Sequence, residues 1–177
     1  IKILSNKIKN SVSLKVKDQY ENYPYPRWNK IALNNKPRKA ISYFDNLGLS
    51  YNKKFVKNWE KIEVLIAGCG TGQHAITSAS KYKDSFITAI DLSAKSLSYA
   101  KRKAIELDIK NIEFIQMDIL DIKKLGRKFE IIESVGVLHH MDDPLVGWKK
   151  LLQVLDYNGL MMIGLYSEIA RNHIKKI

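Results

Sequence analysis

Hydrophobic residues in the second two-thirds of the chain form short continuous runs that alternate with segments of helical periodicity. Continuous apolar runs predict strands covered on both faces of a sheet, and they occupy residues 64–67, 86–90, 112–115, 129–135 and 160–165. Between several of these runs, apolar positions recur three and four residues apart, which predicts helices. The alternation predicts an α/β fold: a Rossmann-like, doubly wound, mostly parallel sheet with a ligand across its carboxyl edge.

The predicted helices have recognisable ends. The first covers residues 73–82, the second begins after Ser93, and the third begins after Asp143, two residue types that cap helix N-termini. The third helix is predicted to end at Asn158-Gly159, and Ser167 to open a further helix. Four residues of the third helix are predicted to face the sheet: Leu145, Trp148, Leu152 and Leu155.

A glycine-rich turn, I-E-V-L-I-A-G-C-G-T-G at residues 62–72, joins the first strand to the first helix. Its glycines lack the β-carbons that would block a close approach of backbone to ligand, and the free N–H groups of the following helix favour a negative charge. A dinucleotide fingerprint would place the third glycine at position 73. Its location at Gly72 favours S-adenosylmethionine over NAD, while a purely structural turn is the alternative.

Two carboxylates follow the next two strands. Asp91 ends the second strand about twenty residues beyond the glycines, where it is positioned to accept hydrogen bonds from both ribose hydroxyls. Its alternative role, capping the next helix, is largely redundant beside Ser93. Asp118 follows the third strand in Q-M-D-I, where it can accept from an adenine amino group flanked by Met117 and Ile119. A solvated turn aspartate is the alternative there.

The N-terminal segment is predicted to begin with a helix over residues 13–22, capped by Ser13, which the prolines of N-Y-P-Y-P force the chain to leave. Residues 29–50 follow as a connector and residues 51–59 as a short helix. The aromatic residues near the prolines either cover the cofactor pocket or line the acceptor site, or they form a small core that anchors the segment. These residues are Tyr20, Tyr23, Tyr25 and Trp28.

Taken in order, four motifs resemble those of class I S-adenosylmethionine-dependent methyltransferases over residues 62–177. They read V-L-I-A-G-C-G-T-G-Q-H, T-A-I-D-L-S-A-K-S-L-S-Y-A, F-I-Q-M-D-I-L and E-S-V-G-V-L-H-H-M-D-D-P. Two more segments, Q-Y-E-N-Y-P-Y-P-R-W and G-L-Y-S-E-I-A-R, further resemble bacterial methyltransferases often attached to tetratricopeptide repeat arrays.

The resemblance implies that the glycines surround the methionine part of S-adenosylmethionine, that Asp91 holds the ribose, and that Asp118 with Ile119 holds the adenine. The cofactor-binding residues it implies are Tyr20, Ala67, Gly68, Gly70, Gly72, His74, Asp91, Leu92, Asp118, Ile119, Val135 and Gly136. The family fold closes with two further strands after the helix at Ser167. We therefore expect residues 1–50 to be a lid and connector, residues 51–177 to be an incomplete methyltransferase domain, and activity of the chain alone to be in doubt.

Methyl transfer to a nucleophile is an in-line displacement that needs a base only when the acceptor must lose a proton. His139 and His140 follow the fourth strand and are the candidate bases; capping the next helix or packing beneath the lid is their alternative. V-G-V-L-H-H replaces an N-P-P-Y type motif, which argues against base amino groups and glutamine amides as acceptors. Cys69 lies beside the cofactor, which argues against C5-directed chemistry. A small molecule or a protein side chain remains as the acceptor.

Two other classes of function stay open. One is a non-catalytic S-adenosylmethionine-binding or interaction module of a larger repeat protein, and the other is an NAD-dependent oxidoreductase. Turnover that depends on the histidines would favour the enzyme over the binding module, and nicotinamide binding would favour the oxidoreductase.

Composition adds little to this choice. The net charge of +12 comes mainly from lysine, in a chain also rich in isoleucine and asparagine, and we attribute it to A+T-rich coding rather than to nucleic-acid binding. One cysteine excludes an intrachain disulfide, and the paired histidines lack a third ligand for a metal. Residues 1–177 contain no signal sequence or membrane-spanning stretch, so a cytoplasmic location without a membrane partner is the default expectation.

Overall fold

A parallel sheet forms the centre of the structure, a computed structural model that describes residues 3–5, 8–48 and 59–167. Within these ranges the sheet has six strands in the spatial order β1-β4-β3-β2-β5-β6, and every neighbouring pair is parallel. The strands are β1 (Ile3–Ser5), β2 (Ile62–Ala67), β3 (Ser85–Asp91), β4 (Ile112–Gln116), β5 (Phe129–Val135) and β6 (Leu155–Gly164).

Helices cover both faces of the sheet, as the sequence predicted for a doubly wound fold. They are α1 (Ser11–Asn22), α2 (Ala40–Asn46), α3 (Gln73–Lys81), α4 (Ala94–Glu106) and α5 (Pro144–Leu152), with 3₁₀ turns at Ile119–Leu125 and Leu138–His140. Ser93 caps α4 and Asp143 caps α5 through side-chain oxygens that accept backbone N–H bonds, which confirms both predicted caps. None of the helices in the described ranges is long and apolar enough to cross a membrane.

The core has two layers because successive residues of a strand point to opposite faces. Val64 and Ile66 pack with α3 and α4 on one face, whereas Leu65 and Ala67 pack on the other face with Leu151 of α5. All four strand side chains are at most 2% exposed. This two-sided burial explains why β2 reads as a continuous apolar run instead of an alternating one.

The prediction for the third helix was wrong about the residue at which the helix ends and about the face that it buries. It ends at Leu152, and Asn158-Gly159 lies inside β6, next to an irregularity in the pairing of β5 with β6. Leu145 and Leu152 are 59% and 51% exposed, whereas Gly147 and Leu151 are buried. Gly147 packs closely on the turn before the helix, since a β-carbon there would lie 2.3 Å from Met141 Sδ and 3.0 Å from Leu138 Cδ2. Of the four residues predicted to face the sheet, Trp148 packs against the core from α5, whereas Leu155 is itself the first residue of β6.

The N-terminal segment also differs from the prediction. Its helix is capped by Asn10 Oδ1, which accepts from Ser13 N at 2.9 Å, so Ser13 is not the cap but a buried residue of the first turn. Neither β1, which pairs with β4, nor α2, which lies within the predicted connector, was predicted from the sequence. The predicted helices at 51–59 and from Ser167 onward lie largely outside the described residues.

Candidate functional site

A cavity of about 570 Å³ opens at the carboxyl edge of the sheet, between the ends of β2 to β5 and helix α1. Eleven of the fourteen residues proposed from the sequence for the cofactor or for catalysis line this cavity: Tyr20, Gly68, Gly70, His74, Asp91, Leu92, Asp118, Ile119, Val135, Gly136 and His140. Ala67, Gly72 and His139 are not among the lining residues. Ala67 is fully buried at the end of β2, where its carbonyl accepts a hydrogen bond from Ser134 Oγ.

The glycine turn forms one wall of the cavity, and its glycines have different tasks. Gly70 has a φ of +51°, and a β-carbon there would lie 2.4 Å from the carbonyl oxygen of Tyr25. Gly72 has a φ of +85°, and a β-carbon there would lie 2.5 Å from Ala100 Cβ in α4. Gly72 therefore allows close helix packing, while Gly70 allows the N-terminal segment to approach the turn. Cys69, directly before Gly70, is buried, and burial raises the pKa of its thiol, as suits a side chain that fills space.

Asp91 stands at the end of β3, where its two carboxylate oxygens are oriented by the backbone. Oδ2 accepts from Gly70 N at 2.7 Å and Oδ1 from Ser93 N at 2.9 Å. Burial raises the pKa of Asp91, and hydrogen bonds from backbone N–H groups oppose that rise. A carboxylate offers about four acceptor positions. Asp91 thus retains acceptor capacity toward the cavity that it lines.

Asp118 stands at the end of β4 and begins the first 3₁₀ turn. Its side chain is 5% exposed, and Oδ1 accepts from Leu120 N at 2.9 Å. Met117 and Ile119 on either side are 2% and 7% exposed and also line the cavity. A buried carboxylate between two apolar side chains can accept a hydrogen bond from a flat, largely apolar ligand.

The paired histidines occupy different positions. His140 lines the cavity, and its Nε2 lies 3.1 Å from Tyr20 Oη, so the second 3₁₀ turn contacts α1 across the cavity. The ring of His139 is stacked on Tyr166, with the ring centres 3.9 Å apart. Burial raises the pKa of Tyr20, which keeps its hydroxyl protonated. His140 is therefore the histidine of this pair that can meet a ligand directly.

The aromatic residues near the N-terminal prolines divide between the two roles considered for them. Trp28 is 8% exposed and belongs to the core, where its Nε1 donates to Thr71 Oγ1 at 3.1 Å. Tyr20 and Tyr25 line the cavity, and Tyr25 is 63% exposed. Tyr23 is 69% exposed and does not line the cavity. The segment is thus anchored by its tryptophan and covers the cavity with two of its tyrosines.

Several lining residues were missed from the sequence. Val12 and Val16 of α1 line the cavity with Tyr20, at a spacing of four residues that places them on one helix face. That spacing is readable in the sequence, but helical periodicity does not say whether a face covers a core or a cavity. Val137, Met141 and Tyr166 come from turns and from beyond β6, where no periodic pattern marks them.

Buried Glu133 on β5 was also missed, although its Oε2 lies 2.8 Å from Nε2 of the cavity-lining His74. No group of three or more His, Cys, Asp or Glu side chains in the described ranges is arranged to hold a metal ion.

A sequence model of a methyltransferase domain family matches residues 64–159, more than half of the chain. The chain belongs to this methyltransferase family. It is 36% identical over 115 residues to an uncharacterized protein of Synechococcus sp., covering 64% of this chain and 28% of the relative. It is 28% identical over 145 residues to the release factor glutamine methyltransferase of Lactococcus lactis, covering 78% of this chain and 51% of the enzyme. The chain thus spans about half or less of these relatives.

A solved structure of similar fold, PKMT2 from Rickettsia typhi in complex with S-adenosylhomocysteine, is 28% identical with a TM-score of 0.52. The alignment covers 58% of this chain and 20% of that one. The family and this bound product indicate S-adenosylmethionine as the cofactor of the methyltransferase domain. The cavity fits such a group, since it combines the glycine turn and oriented Asp91 with the apolar surroundings of Asp118.

Proposed function

We propose that this methyltransferase domain is part of a protein that transfers the methyl group of S-adenosylmethionine to a nucleophilic atom of a small molecule or of a protein side chain. The observation that carries the proposal is the position of Asp91. Its carboxylate lines the cavity and is fixed by Gly70 N–H and Ser93 N–H, so it is oriented before any ligand arrives. Such an acceptor suits the vicinal hydroxyls of a ribose.

The proposed donor site extends along the carboxyl edge of the sheet. Asp91 and Leu92 would hold the ribose, and Asp118 and Ile119 the adenine, because these pairs end adjacent strands and line one cavity. The amino-acid part would lie at the glycine turn beside His74, with Tyr20, Val135 and Gly136 closing the cavity. We assign Ala67 and Gly72 indirect roles in shaping the turn, since neither lines the cavity.

When bound, S-adenosylmethionine supplies an activated methyl group on a sulfonium. The protein's own residues must then align the acceptor, exclude water and take up a proton where the acceptor loses one. We propose His140 for that proton, because it lines the cavity and contacts Tyr20 of the covering helix. We propose that His139 orients the 3₁₀ turn that carries both histidines, through its stacking on Tyr166.

The charges on the described cavity wall bear on which class of methyl acceptor the domain takes. Although the chain has 30 Lys and Arg residues, none of them lines the cavity in the part of the chain that the structure describes. Phosphate contacts from lysine and arginine dominate nucleic-acid binding. We therefore propose an acceptor other than a nucleic acid.

We also propose that the domain belongs to the type often attached to tetratricopeptide repeats. The support is the N-terminal Q-Y-E-N-Y-P-Y-P-R-W segment, which packs against the glycine turn through Thr71 and Trp28. In such a protein the repeat region would be a partner of this domain.

Isothermal titration with S-adenosylhomocysteine and with NAD tests the proposed donor. Wild-type protein is expected to bind S-adenosylhomocysteine but not NAD, and Asp91→Ala to weaken binding at least about tenfold, because hydrogen bonds to a charged group are lost. Asp18→Ala, at an exposed position of α1, is the matched control and should bind as wild type. Saturable NAD binding, or no ligand binding by a folded protein, would contradict the proposal.

A second candidate function is a non-catalytic module that binds S-adenosylmethionine. It is favoured by one observation: only one of the two predicted catalytic histidines lines the cavity. With an acceptor panel and labelled donor, the enzyme predicts that His140→Ala lowers turnover while S-adenosylhomocysteine affinity is retained. Absence of transfer to any acceptor by the intact, full-length protein would favour the module.

A further inference from the structure

A buried carboxylate lies behind the wall of the cavity. Glu133 in β5 is 3% exposed, and its two oxygens accept three hydrogen bonds from side chains of α3 and the residue that follows it. His74 Nε2 and Ser78 Oγ both lie 2.8 Å from Oε2, and Tyr82 Oη lies 2.8 Å from Oε1. Burying a charge is unfavourable unless it is paired and hydrogen-bonded, and Glu133 meets that condition through these three side chains.

Glu133 is the hydrogen-bond partner of one ring nitrogen of His74, its Nε2. Burial by itself raises the pKa of Glu133, but His74, Ser78 and Tyr82 more than offset that effect and hold the pKa below its ordinary value. An ionised carboxylate only accepts hydrogen bonds, so a neutral imidazole at this position carries its proton on Nε2, the nitrogen that lies 2.8 Å from Glu133 Oε2. Nδ1 then has a free lone pair and is the ring nitrogen left to meet a ligand.

His74 is the second residue of α3, directly after the glycine turn, and it lines the cavity. The first N–H groups of a helix have no partner within the helix and favour a carboxylate. Other charged side chains on the described wall are acidic, namely Asp91, Asp118, Asp142 and Asp143, and the same ranges contribute no lysine or arginine to it. An acceptor nitrogen backed by a buried carboxylate in such surroundings suits a positively charged hydrogen-bond donor.

We propose that Glu133 is a positioning residue that holds His74 as the Nε2–H tautomer, so that Nδ1 accepts a hydrogen bond from the α-ammonium group of the methyl donor. The N-terminus of α3 binds the α-carboxylate of the methyl donor. Each charged group of its amino-acid end then has a partner: Nδ1 accepts from the ammonium group, and backbone N–H groups donate to the carboxylate. This inference rests on the proposed function, because it assumes that the cavity holds S-adenosylmethionine.

Two ligands separate this inference from the proposed function. S-adenosylhomocysteine carries the amino-acid end, whereas 5′-methylthioadenosine lacks it and keeps the nucleoside. In isothermal titration, wild-type protein should prefer S-adenosylhomocysteine. Glu133→Gln should weaken S-adenosylhomocysteine about tenfold and leave 5′-methylthioadenosine unchanged, since only the bond at Nδ1 depends on the fixed tautomer. His74→Ala should lose the same preference for S-adenosylhomocysteine. The double variant Glu133→Gln/His74→Ala should bind S-adenosylhomocysteine no more weakly than His74→Ala alone.

Tyr82→Phe is the matched control, because it removes a hydrogen bond to Oε1 and leaves the His74 pair on Oε2 intact. It should keep the ligand preference even if the protein becomes less stable. A purely structural network would instead make Tyr82→Phe and Glu133→Gln alike, with both ligands affected equally. That result would overturn the inference.

Nitrogen-15 spectra of the histidine rings supply a readout that does not depend on a variant. Wild-type His74 should show a protonated Nε2 and an unprotonated Nδ1, and removal of the α-amino group from S-adenosylhomocysteine should cost wild-type protein about tenfold in affinity. A protonated Nδ1, or no effect of removing the amino group, would overturn the inference while leaving donor binding intact. Failure of folded wild-type protein to bind either nucleoside would contradict the proposed function, and this inference with it.

Discussion

Two sides of the cavity are built in different ways. The turn wall, residues 68–74 with Asp91, is held largely by backbone groups: Gly68 N and Cys69 N both donate to Ile90 O at 2.9 Å, and Gly70 N donates to Asp91. The N-terminal cover, residues 10–28, is held mainly through side chains, and its partners are as far away in sequence as His140, 120 positions from Tyr20.

The two sides meet at Thr71. Its backbone N–H donates to Tyr25 O at 3.2 Å, and its hydroxyl donates to Pro26 O at 2.6 Å and accepts from Trp28 Nε1. A second attachment joins the cover to α4, where Glu21 accepts from Ala94 N at 2.7 Å. The turn wall therefore follows from a local motif packed on the core, whereas the cover depends on a few separate contacts. Changes to the cover should therefore affect ligand binding more than they affect the sheet.

The largest effect is expected where a side chain would force the two sides apart. Gly70→Ala places a β-carbon 2.4 Å from Tyr25 O at a φ of +51°, so the cover must move away. We expect S-adenosylhomocysteine affinity to fall at least about a hundredfold in isothermal titration, since overpacking against backbone costs several kcal/mol.

Gly126→Ala is the control for this prediction, because Gly126 has a similar φ of +66° with nothing within 4 Å of the added carbon. It should lower stability by about 1–2 kcal/mol, the cost of a left-handed residue with a β-carbon, and leave affinity unchanged. Equal loss of affinity in both variants would mean that contact with the cover is not what matters.

Thr71→Val removes the hydroxyl that joins the two sides and keeps the shape of the side chain. Pro26 O loses its donor and Trp28 Nε1 its closer acceptor, so we expect a loss of about 2 kcal/mol in urea unfolding, the usual cost of leaving buried polar groups unpaired. Thr77→Val is the control, since the Thr77 hydroxyl donates to Gln73 O within its own helix. If the control were destabilised as much, the link between the two sides would not explain the result.

The stability of Glu133→Gln as a function of pH tests whether Glu133, which contacts His74 of the turn wall, is ionised in the folded protein. The pKa of Glu133 is lowered in the folded protein, so its contribution to stability is present above the ordinary value of 4.5 and is lost as the pH falls through the folded pKa. At pH 7 the variant should be less stable by about 1–2 kcal/mol. Urea unfolding at several pH values should show that difference shrinking below pH 4.5.

Glu106→Gln provides the comparison for this pH series, because Glu106 also has a lowered pKa, caused mainly by a hydrogen bond from Lys103 at the surface. It should change stability little at any pH. A difference between wild type and Glu133→Gln that stayed constant down to pH 3.5 would contradict the assignment of an ionised, buried Glu133.

The smallest effect is expected at the outer attachment of the cover. Glu21→Gln removes a negative charge from the N-terminus of α4, where it accepts from Ala94 N and Lys95 N. We expect a loss of about 0.5–1 kcal/mol in thermal unfolding, weaker at high salt, because a charge near a helix end is screened. Asp18→Asn on the same helix should have no effect, and salt-independent destabilisation by Glu21→Gln would contradict the electrostatic explanation.

Local patterns identified the turn wall well. The predicted strand at 129–135 coincides with β5, and the predicted helix at 73–82 is one residue longer than α3. Asp91 and Asp118 were recognised because each follows a buried apolar run, and parallel strands bring such ends to one edge. The predicted strand at 160–165 overlaps β6 but starts too late, because Asn158-Gly159 is a common helix stop, while the pairing with β5 placed that dipeptide inside the strand.

Local sequence patterns were enough to predict the order of β2 to β5 and of the helices between them, the glycine turn, and the acids that follow β3 and β4, because these depend on residues adjacent in the chain. The cavity position of His140, the covering of the cavity by α1 and the contact of Glu133 with His74 emerge only in the packed fold. These relations join residues 59 and 120 positions apart. Periodicity and spacing carry no information on such pairs, which form only when the packed sheet brings distant segments into contact.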